Sequence, residues 1–243
     1  MSTLLSPSSA LRTSSEPSQG AAARSRFEAR LPPLLSVIAG MVDLTGFFTL
    51  GHVFTAHVTG NLVVAAAAAV QGGPVAPAQL LAIPVFMLAL AAVWLLAQLS
   101  HRDGDRLARL LLLVQLGLLV AVLIFSVIAK PASNPHGMAA GIAVMLCVAA
   151  MACQYALLRL AMPAVVSTAV MTGNLTNAVL ALMDLLARRH HLLAGDAERL
   201  KQSLLLLFGF LLGCVVAAAT LSLLGDWAWA LPALLAAAAL VLR

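Results

Sequence analysis

Apolar residues in this sequence run in long continuous stretches and do not alternate with polar ones. The clearest stretch is 107–129, which only Arg109, Gln115, Gly117 and Ser126 interrupt. At about 1.5 Å per residue, a helix of this length exceeds the roughly 30 Å hydrocarbon core of a bilayer. Because the strands of membrane β-barrels alternate apolar and polar residues, the pattern predicts membrane-spanning helices.

Eight hydrophobic segments follow a polar N-terminal stretch. Their approximate bounds are 31–50, 60–71, 78–99, 107–129, 137–158, 164–186, 203–224 and 227–242. Segment 60–71 rises only about 18 Å as a helix, which is too short to cross a bilayer by itself. The pattern predicts an all-α polytopic membrane protein in which this segment is a half-helix.

Two six-residue stretches are nearly identical, HVTGNL at 57–62 and VMTGNL at 170–175. In each, the glycine permits a turn and the threonine or asparagine can cap a helix N-terminus, whose partial positive charge suits an anion or polar group. The same polar side chains can also tie membrane helices together, so a midplane ligand site and a packing device both remain open. The residues concerned are Thr59, Gly60, Asn61, Thr172, Gly173 and Asn174.

Composition excludes a soluble domain, since 62% of the residues are hydrophobic and only 9% are charged. The stretch 1–30 is rich in Ser, Pro, Ala and Arg and has too little apolar content to pack. We therefore expect 1–30 to be a disordered cytoplasmic tail and 31–243 to form a single transmembrane domain.

Basic residues set the expected orientation, because Lys and Arg in short loops stay on the cytoplasmic side. They cluster in the tail, at 102–109 and at 188–201. Placing all three clusters in the cytoplasm gives about six net crossings, three per half, with both termini cytoplasmic. An odd number per half makes the second copy inverted, with repeat 1 at about 31–129 and repeat 2 at about 137–242. Inverted repeats with broken helices are typical of secondary transporters.

Few polar side chains interrupt the spans. A carboxylate at the centre of a span costs roughly 2.5–3.5 kcal/mol, so we expect Asp43 either to carry a proton or cation or to accept bonds from the nearby break. Gln154 is placed similarly in the second half and is expected to hydrogen-bond. Arg159 is a candidate countercharge that could pair with Asp43, bind an anion or extend to the interface. His52 and His57 share no helical face, so we interpret them as loop or gate histidines without a metal.

Two long stretches resemble the DUF1275 family of bacterial membrane proteins, also called the YoaK-like family. They are AGMVDLTGFFTLGHVFTAHVTGNLVV and MACQYALLRLAMPAVVSTAVMTGNLTNAVLALM, and the resemblance runs from about Leu31 to the C-terminus. Gln154 lies in the second stretch, but the Gly and Asn usual around it are Ala152 or Cys153 and Tyr155 here. The resemblance implies a bacterial inner-membrane protein of unknown biochemical activity.

The features together predict a small secondary transporter or permease with a midplane site at the paired breaks. The alternative is a non-transporting helper or lipid-binding subunit in which the breaks serve helix packing. No Walker loop, dinucleotide fingerprint, zinc-peptidase motif or nucleophile elbow is present, so we expect neither an enzyme nor a cofactor. The expected partners are the lipid bilayer, a small polar or anionic substrate and a second copy in a homodimer, and no nucleic acid, because the basic residues flank membrane segments.

Overall fold

A computed structural model of the chain describes residues 19–73, 75–100, 104–163, 165–168, 171–186 and 195–242, and every regular element within them is helical. The α-helices are α1 Gln19–Thr49, α2 Gly60–Val70, α3 Pro77–Ser100, α4 Gly104–Ala129, α5 Met138–Ala156, α6 Met171–Leu186, α7 Gly195–Leu224 and α8 Ala230–Val241. Turns of 3-10 helix lie at Pro131–Ser133 and Gly225–Trp229, and a π-helical turn, Leu157–Ala161, continues α5.

Five stretches are long and apolar enough to cross a membrane, with mean hydropathy between 1.6 and 2.9. They are Phe27–Thr49, Pro77–Leu99, Gly104–Ala129, Met138–Ala161 and Ala197–Val241. The last is 45 residues long and contains both α7 and α8, between which the backbone turns at Gly225 with a φ of +54°. The prediction of an all-α polytopic membrane protein is confirmed over the described residues.

The outer surface of the helices is strongly apolar. Large side chains such as Val63, Leu88, Trp94 and Leu211 are at least half exposed. A contiguous apolar surface of this kind is not stable in water, so the environment that fits the chain is a lipid bilayer.

Three boundaries differ from those expected. α1 begins at Gln19, so the tail expected to reach residue 30 is helical from that point, because its Ala, Arg and Glu residues favour a helix. Residues 1–18 lie outside the described residues. Among its described residues, the hydrophobic segment 164–186 is helical only in α6, and residues 165–168 are irregular after the proline at 163. α7 includes Arg199 and Lys201, which were expected in a loop, while Arg188 and Arg189 lie outside the described residues.

α1 and α5 are the central helices of the molecule. In their most apolar windows 67% and 72% of the residues are buried, compared with 11% in α3. The two helices run antiparallel. Gln154 near the end of α5 donates a hydrogen bond to the carbonyl of Leu35 in the first half of the α1 span, whereas Gly51 beyond α1 lies against Pro135 ahead of α5.

α1 also packs very closely on α7. Both helices carry glycines where they cross, and a Cβ added at Gly213 would overlap the carbonyl oxygen of Val37, while one at Gly40 would overlap the carbonyl oxygen of Phe210. Only glycine permits this backbone approach, which is a common way for membrane helices to associate.

The remaining helices surround the central pair. α5 packs on α3 and α4, α8 packs on α4 and α1, α2 packs on α3, and α6 packs on α7. α2 and α6 thus pack mainly on different neighbours.

Candidate functional site

The chain leaves α1 through a sharp turn. Gly51 and His52 both have positive φ, +81° and +59°, and the N–H of His52 donates to the carbonyl of Phe47 at 3.0 Å. This left-handed ending directs the chain back toward the helices. We call residues 50–61 the first break. Gly60 was expected to make the turn, but Gly51 and His52 make it, and Gly60 has no positive φ.

Asp43 of α1 holds the first break in place. One carboxylate oxygen accepts the backbone N–H groups of Thr55 at 2.7 Å and Ala56 at 2.9 Å. The other oxygen lies 2.7 Å from Nδ1 of His57. The carboxylate is almost wholly buried, with a side-chain exposure of 5%, whereas His57 is 31% exposed. A buried carboxylate with these partners is fully satisfied, which offsets much of its cost in an apolar span.

The first break reaches deep into the bundle. The ring of His57 packs edge-on against the ring of Phe210, with centroids 5.0 Å apart, and Phe210 lies beside Gly40 of α1. From α5, the hydroxyl of Tyr155 donates to the carbonyl of Ala56 at 3.1 Å. Gly40 is close to the middle of the span Phe27–Thr49, so irregular backbone lies at that depth, with protein groups as its hydrogen-bond partners.

The two asparagines of the repeated motif make the same internal contact. Nδ2 of Asn61 donates to the carbonyl of Phe54 at 2.8 Å, and the N–H of Phe54 donates to Oδ1 of Asn61 at 2.7 Å. Nδ2 of Asn174 donates to the carbonyl of Ser167 at 2.9 Å. In both halves the partner lies seven residues earlier. Each asparagine therefore ties the preceding irregular segment to the start of its helix.

The threonines and glycines of the motif act differently from the caps and hinges expected. Thr59 precedes α2 but is exposed, and its side chain makes no capping hydrogen bond. Thr172 and Gly173 lie inside α6, where the carbonyl of Thr172 accepts a bond from the hydroxyl of Thr176. At Gly60 a Cβ would lie 3.1 Å from the ring of Phe54, so a small residue is favoured there for packing.

Gln154 joins three helices in the core. It is fully buried and accepts a bond from Nε2 of Gln115 in α4 at 2.8 Å, while its own Nε2 donates to Leu35 in α1 at 2.9 Å. The amide supplies a donor and an acceptor without a charge, which suits a tie within the membrane. Gln115 is part of this cluster, although in the sequence it was visible only as an interruption of a span.

Arg159 does not pair with Asp43. Arg159 is exposed in the π-helical turn Leu157–Ala161, and Asp43 contacts His57 instead. Because α1 and α5 are antiparallel, Arg159 lies at the opposite end of the central helices from Asp43. The pairing expected from the sequence is therefore wrong, while a role in anion binding stays a prediction.

Several residues of this site were missed in the sequence. The clearest is Tyr155, whose hydroxyl contacts the first break directly, and the contact of the predicted gate histidine His57 with Asp43 was missed as well. A signal was present in a longer repeat, because Thr-Ala precedes Thr-Gly-Asn by the same distance at 55 and at 168. Thr55 and Thr168 are both fully buried. Within the described residues no three His, Cys, Asp or Glu side chains are grouped to hold a metal ion.

Comparison with known proteins shows which family the chain belongs to. The model of the family described as "Protein of unknown function (DUF1275)" matches residues 31–242. The chain belongs to the DUF1275 family. A stretch of 30 residues is also 60% identical to the UPF0700 transmembrane protein YoaK of Bacillus subtilis (strain 168). That match covers 12% of this chain and only 13% of the length of YoaK. No solved structure matches.

The resemblance of the chain to the DUF1275 and YoaK proteins is thus confirmed. The site described above lies inside the region that the DUF1275 model matches, because Asp43, Gln154 and both Thr-Gly-Asn motifs fall between residues 31 and 242. The family description carries no activity, so a function for the site has to come from its geometry.

The tie made by Asn61 gives a direct prediction for this DUF1275 protein. Asn61→Ala should lower the free energy of unfolding by about 1–3 kcal/mol, because the N–H and carbonyl of Phe54 lose their side-chain partner. The measurement is denaturant unfolding in detergent micelles. Asn177→Ala is the matched control, since Asn177 is exposed on α6 and should change stability by less than about 0.5 kcal/mol. Equal effects of the two substitutions would refute the tie.

Proposed function

We propose that this chain is a small secondary transporter or permease, and not an enzyme, with its solute site where the first break meets Asp43 and His57. The observation that carries the proposal is a buried carboxylate in a membrane span holding irregular backbone near the middle of that span. Ionisable residues and broken helices at such depth are expensive, and in membrane proteins they mark solute or ion pathways.

The packing of the helices supports two inverted repeats. We match α1 to α5, α2 to α6, α3 to α7 and α4 to α8. Under this match, the packing of α1 on α7 corresponds to that of α5 on α3, and the packing of α1 on α8 corresponds to that of α5 on α4. The packing of α2 on α3 likewise corresponds to that of α6 on α7. The antiparallel direction of α1 and α5 and the shared asparagine tie agree with the same pseudo-twofold relation.

The same repeats support six net crossings. α1, α3, α4, α5 and α7 each cross once, and α8 crosses together with the 3-10 turn Gly225–Trp229 that directly precedes it, the two rising about 28 Å. α2 has 11 residues and rises about 16 Å, so it and α6 act as half-helices that return to the side they entered from. With the three basic clusters in the cytoplasm, both termini are cytoplasmic and the membrane is the bacterial inner membrane.

The contacts of Asp43 suggest how the site works. His57 is the partly exposed member of the pair, so it is the group that a solute can reach. A small polar or anionic solute that binds the imidazole competes with the Asp43 carboxylate for it. Losing this contact weakens the hold of α1 on the first break, which allows one repeat to move against the other, as alternating access requires.

A non-transporting helper is the second candidate function. It is favoured by the hydrogen bonds that Asp43, Asn61 and Gln154 make to backbone groups of this chain. Polar side chains whose bonds are satisfied internally can serve packing alone. The two candidates differ in whether exchanging His57 alters solute movement or only stability.

The deciding experiment compares two histidines of the first break. Liposomes with and without the protein are given gradients of glycerol, glycine, acetate or phosphate, and solute entry is followed by light scattering. His57→Gln should slow the protein-dependent entry about tenfold, because the imidazole that binds the solute in competition with the Asp43 carboxylate is lost. His52→Gln is the control, since His52 is exposed and packs on Phe47. No protein-dependent entry of any probe, with both variants folded, would contradict transport and favour the helper.

A further inference from the structure

A deep apolar groove lies between α3 and α5, away from the contacts of Asp43. Its volume is about 570 Å³, which is within the usual range for ligand cavities. The walls are the beginnings of the two helices and the connection ahead of α5, and they include Ala78, Leu81, Gly141, Ile142 and Met145. Among the described residues that line it, His136 has the one ionisable side chain.

The groove owes its depth to small residues. Gly141 has nothing within 4 Å of the position where a Cβ would lie, so it opens space in the wall of α5. Both walls belong to candidate membrane spans, Pro77–Leu99 and Met138–Ala161, whose mean hydropathies are 2.6 and 2.0. The surrounding medium at this depth is therefore lipid, and a polar solute gains nothing from apolar walls.

The equivalent place in the other half of the chain has a different chemistry from this groove. The positions 113 residues before Gly141 and Met145 are Glu28 and Pro32, and both line another cavity, of about 330 Å³, between α1 and α7. That cavity also contains Glu198, Lys201 and Gln202. Equivalent places in the two halves are thus polar in one case and apolar in the other, at opposite ends of the antiparallel pair α1 and α5.

We propose that the α3–α5 groove is a binding site for one acyl chain of a bilayer phospholipid. The chain lies along Leu81, Ile142 and Met145, and the headgroup lies beside the exposed His136 at the mouth, whose imidazole can donate a hydrogen bond to a phosphate oxygen. Lipid tails are as apolar as the helices, so retention comes from close packing in a rigid concave wall and from the headgroup contact. The site is independent of the proposed transport function.

The test uses a phosphatidylglycerol that carries a photoactivatable group on one acyl chain, mixed into liposomes with the intact protein. After illumination, labelled residues are identified by mass spectrometry. The proposal expects labelling concentrated at Leu81, Ile142 and Met145, and Gly141→Phe should reduce it about fivefold by filling the groove. Gly117→Phe is the matched control, because Gly117 is an exposed glycine of α4 that also has nothing within 4 Å.

Two results would overturn the acyl-chain site. The first is wild-type labelling that is no stronger in the groove than along the lipid-facing side of α4. The second is undiminished groove labelling in Gly141→Phe. If that variant fails to fold, Leu81→Trp fills the groove from the opposite wall, since Leu81 is 51% exposed and tolerates a larger side chain. The expected result for Leu81→Trp is the same loss of labelling at Met145.

Discussion

Asp43→Ala should lower the free energy of unfolding by about 3–5 kcal/mol, which is typical when one member of a buried charged cluster is removed. The backbone N–H groups of Thr55 and Ala56 would lose their acceptor, and His57 would lose its partner. Unpaired N–H groups near the middle of a span are costly because no water can replace the carboxylate. Unfolding by denaturant in detergent micelles, followed by circular dichroism, measures the loss.

A graded series separates the hydrogen bonds of Asp43 from its charge. Asp43→Asn keeps one oxygen acceptor for the backbone N–H groups but removes the charge, so its loss of stability should be intermediate. Asp184→Ala is the matched control, because Asp184 is exposed on α6, and its effect should stay below about 0.5 kcal/mol. A loss of less than about 1 kcal/mol in Asp43→Ala would contradict the role of the carboxylate as the anchor of the first break.

Hydropathy predicted the helical spans well because the bilayer itself imposes long apolar stretches. It could not distinguish apolar residues in a helix from apolar residues in irregular backbone. Segment 164–186 was therefore predicted as one continuous stretch, although its residues 165–168 are irregular. The proline at 163 was a visible signal that the preceding helix ends there. It also missed the helix from Gln19 to Arg30, since that part of α1 is polar and its helical preference comes from Ala, Arg and Glu.

The sequence predicted a residue of the site where placing that residue in a membrane span has a high free-energy cost. Asp43 stood out because a carboxylate in a span needs compensation. His57 did not, because its spacing from His52 was judged on a helix, and the chain there is a turn that brings together residues 14 positions apart. Of the three roles considered for Arg159, the pairing with Asp43 was wrong. Only the direction of α5 relative to α1 shows which end of α1 it can reach.

The crossing of α1 and α7 leads to the second large prediction. Gly213→Ala should destabilise the protein by about 3 kcal/mol, at the upper end of the usual cost of overpacking. The added Cβ would overlap the carbonyl oxygen of Val37, and backbone cannot move aside as a side chain can. The helices would have to separate, which would also shift Phe210 away from His57. Stability in micelles and solute entry in liposomes should therefore both fall.

Gly117→Ala is the matched control for Gly213→Ala, because Gly117 is also a glycine inside a long apolar helix. Nothing lies within 4 Å of its Cβ position, and alanine is favoured over glycine inside a helix by about 1 kcal/mol, so this substitution should cause no loss. The contrast between the two glycines isolates close backbone packing from helical preference. If Gly213→Ala were as stable as Gly117→Ala, then α1 and α7 would not approach this closely in the membrane, and the contact of His57 with Phe210 could not support the first break.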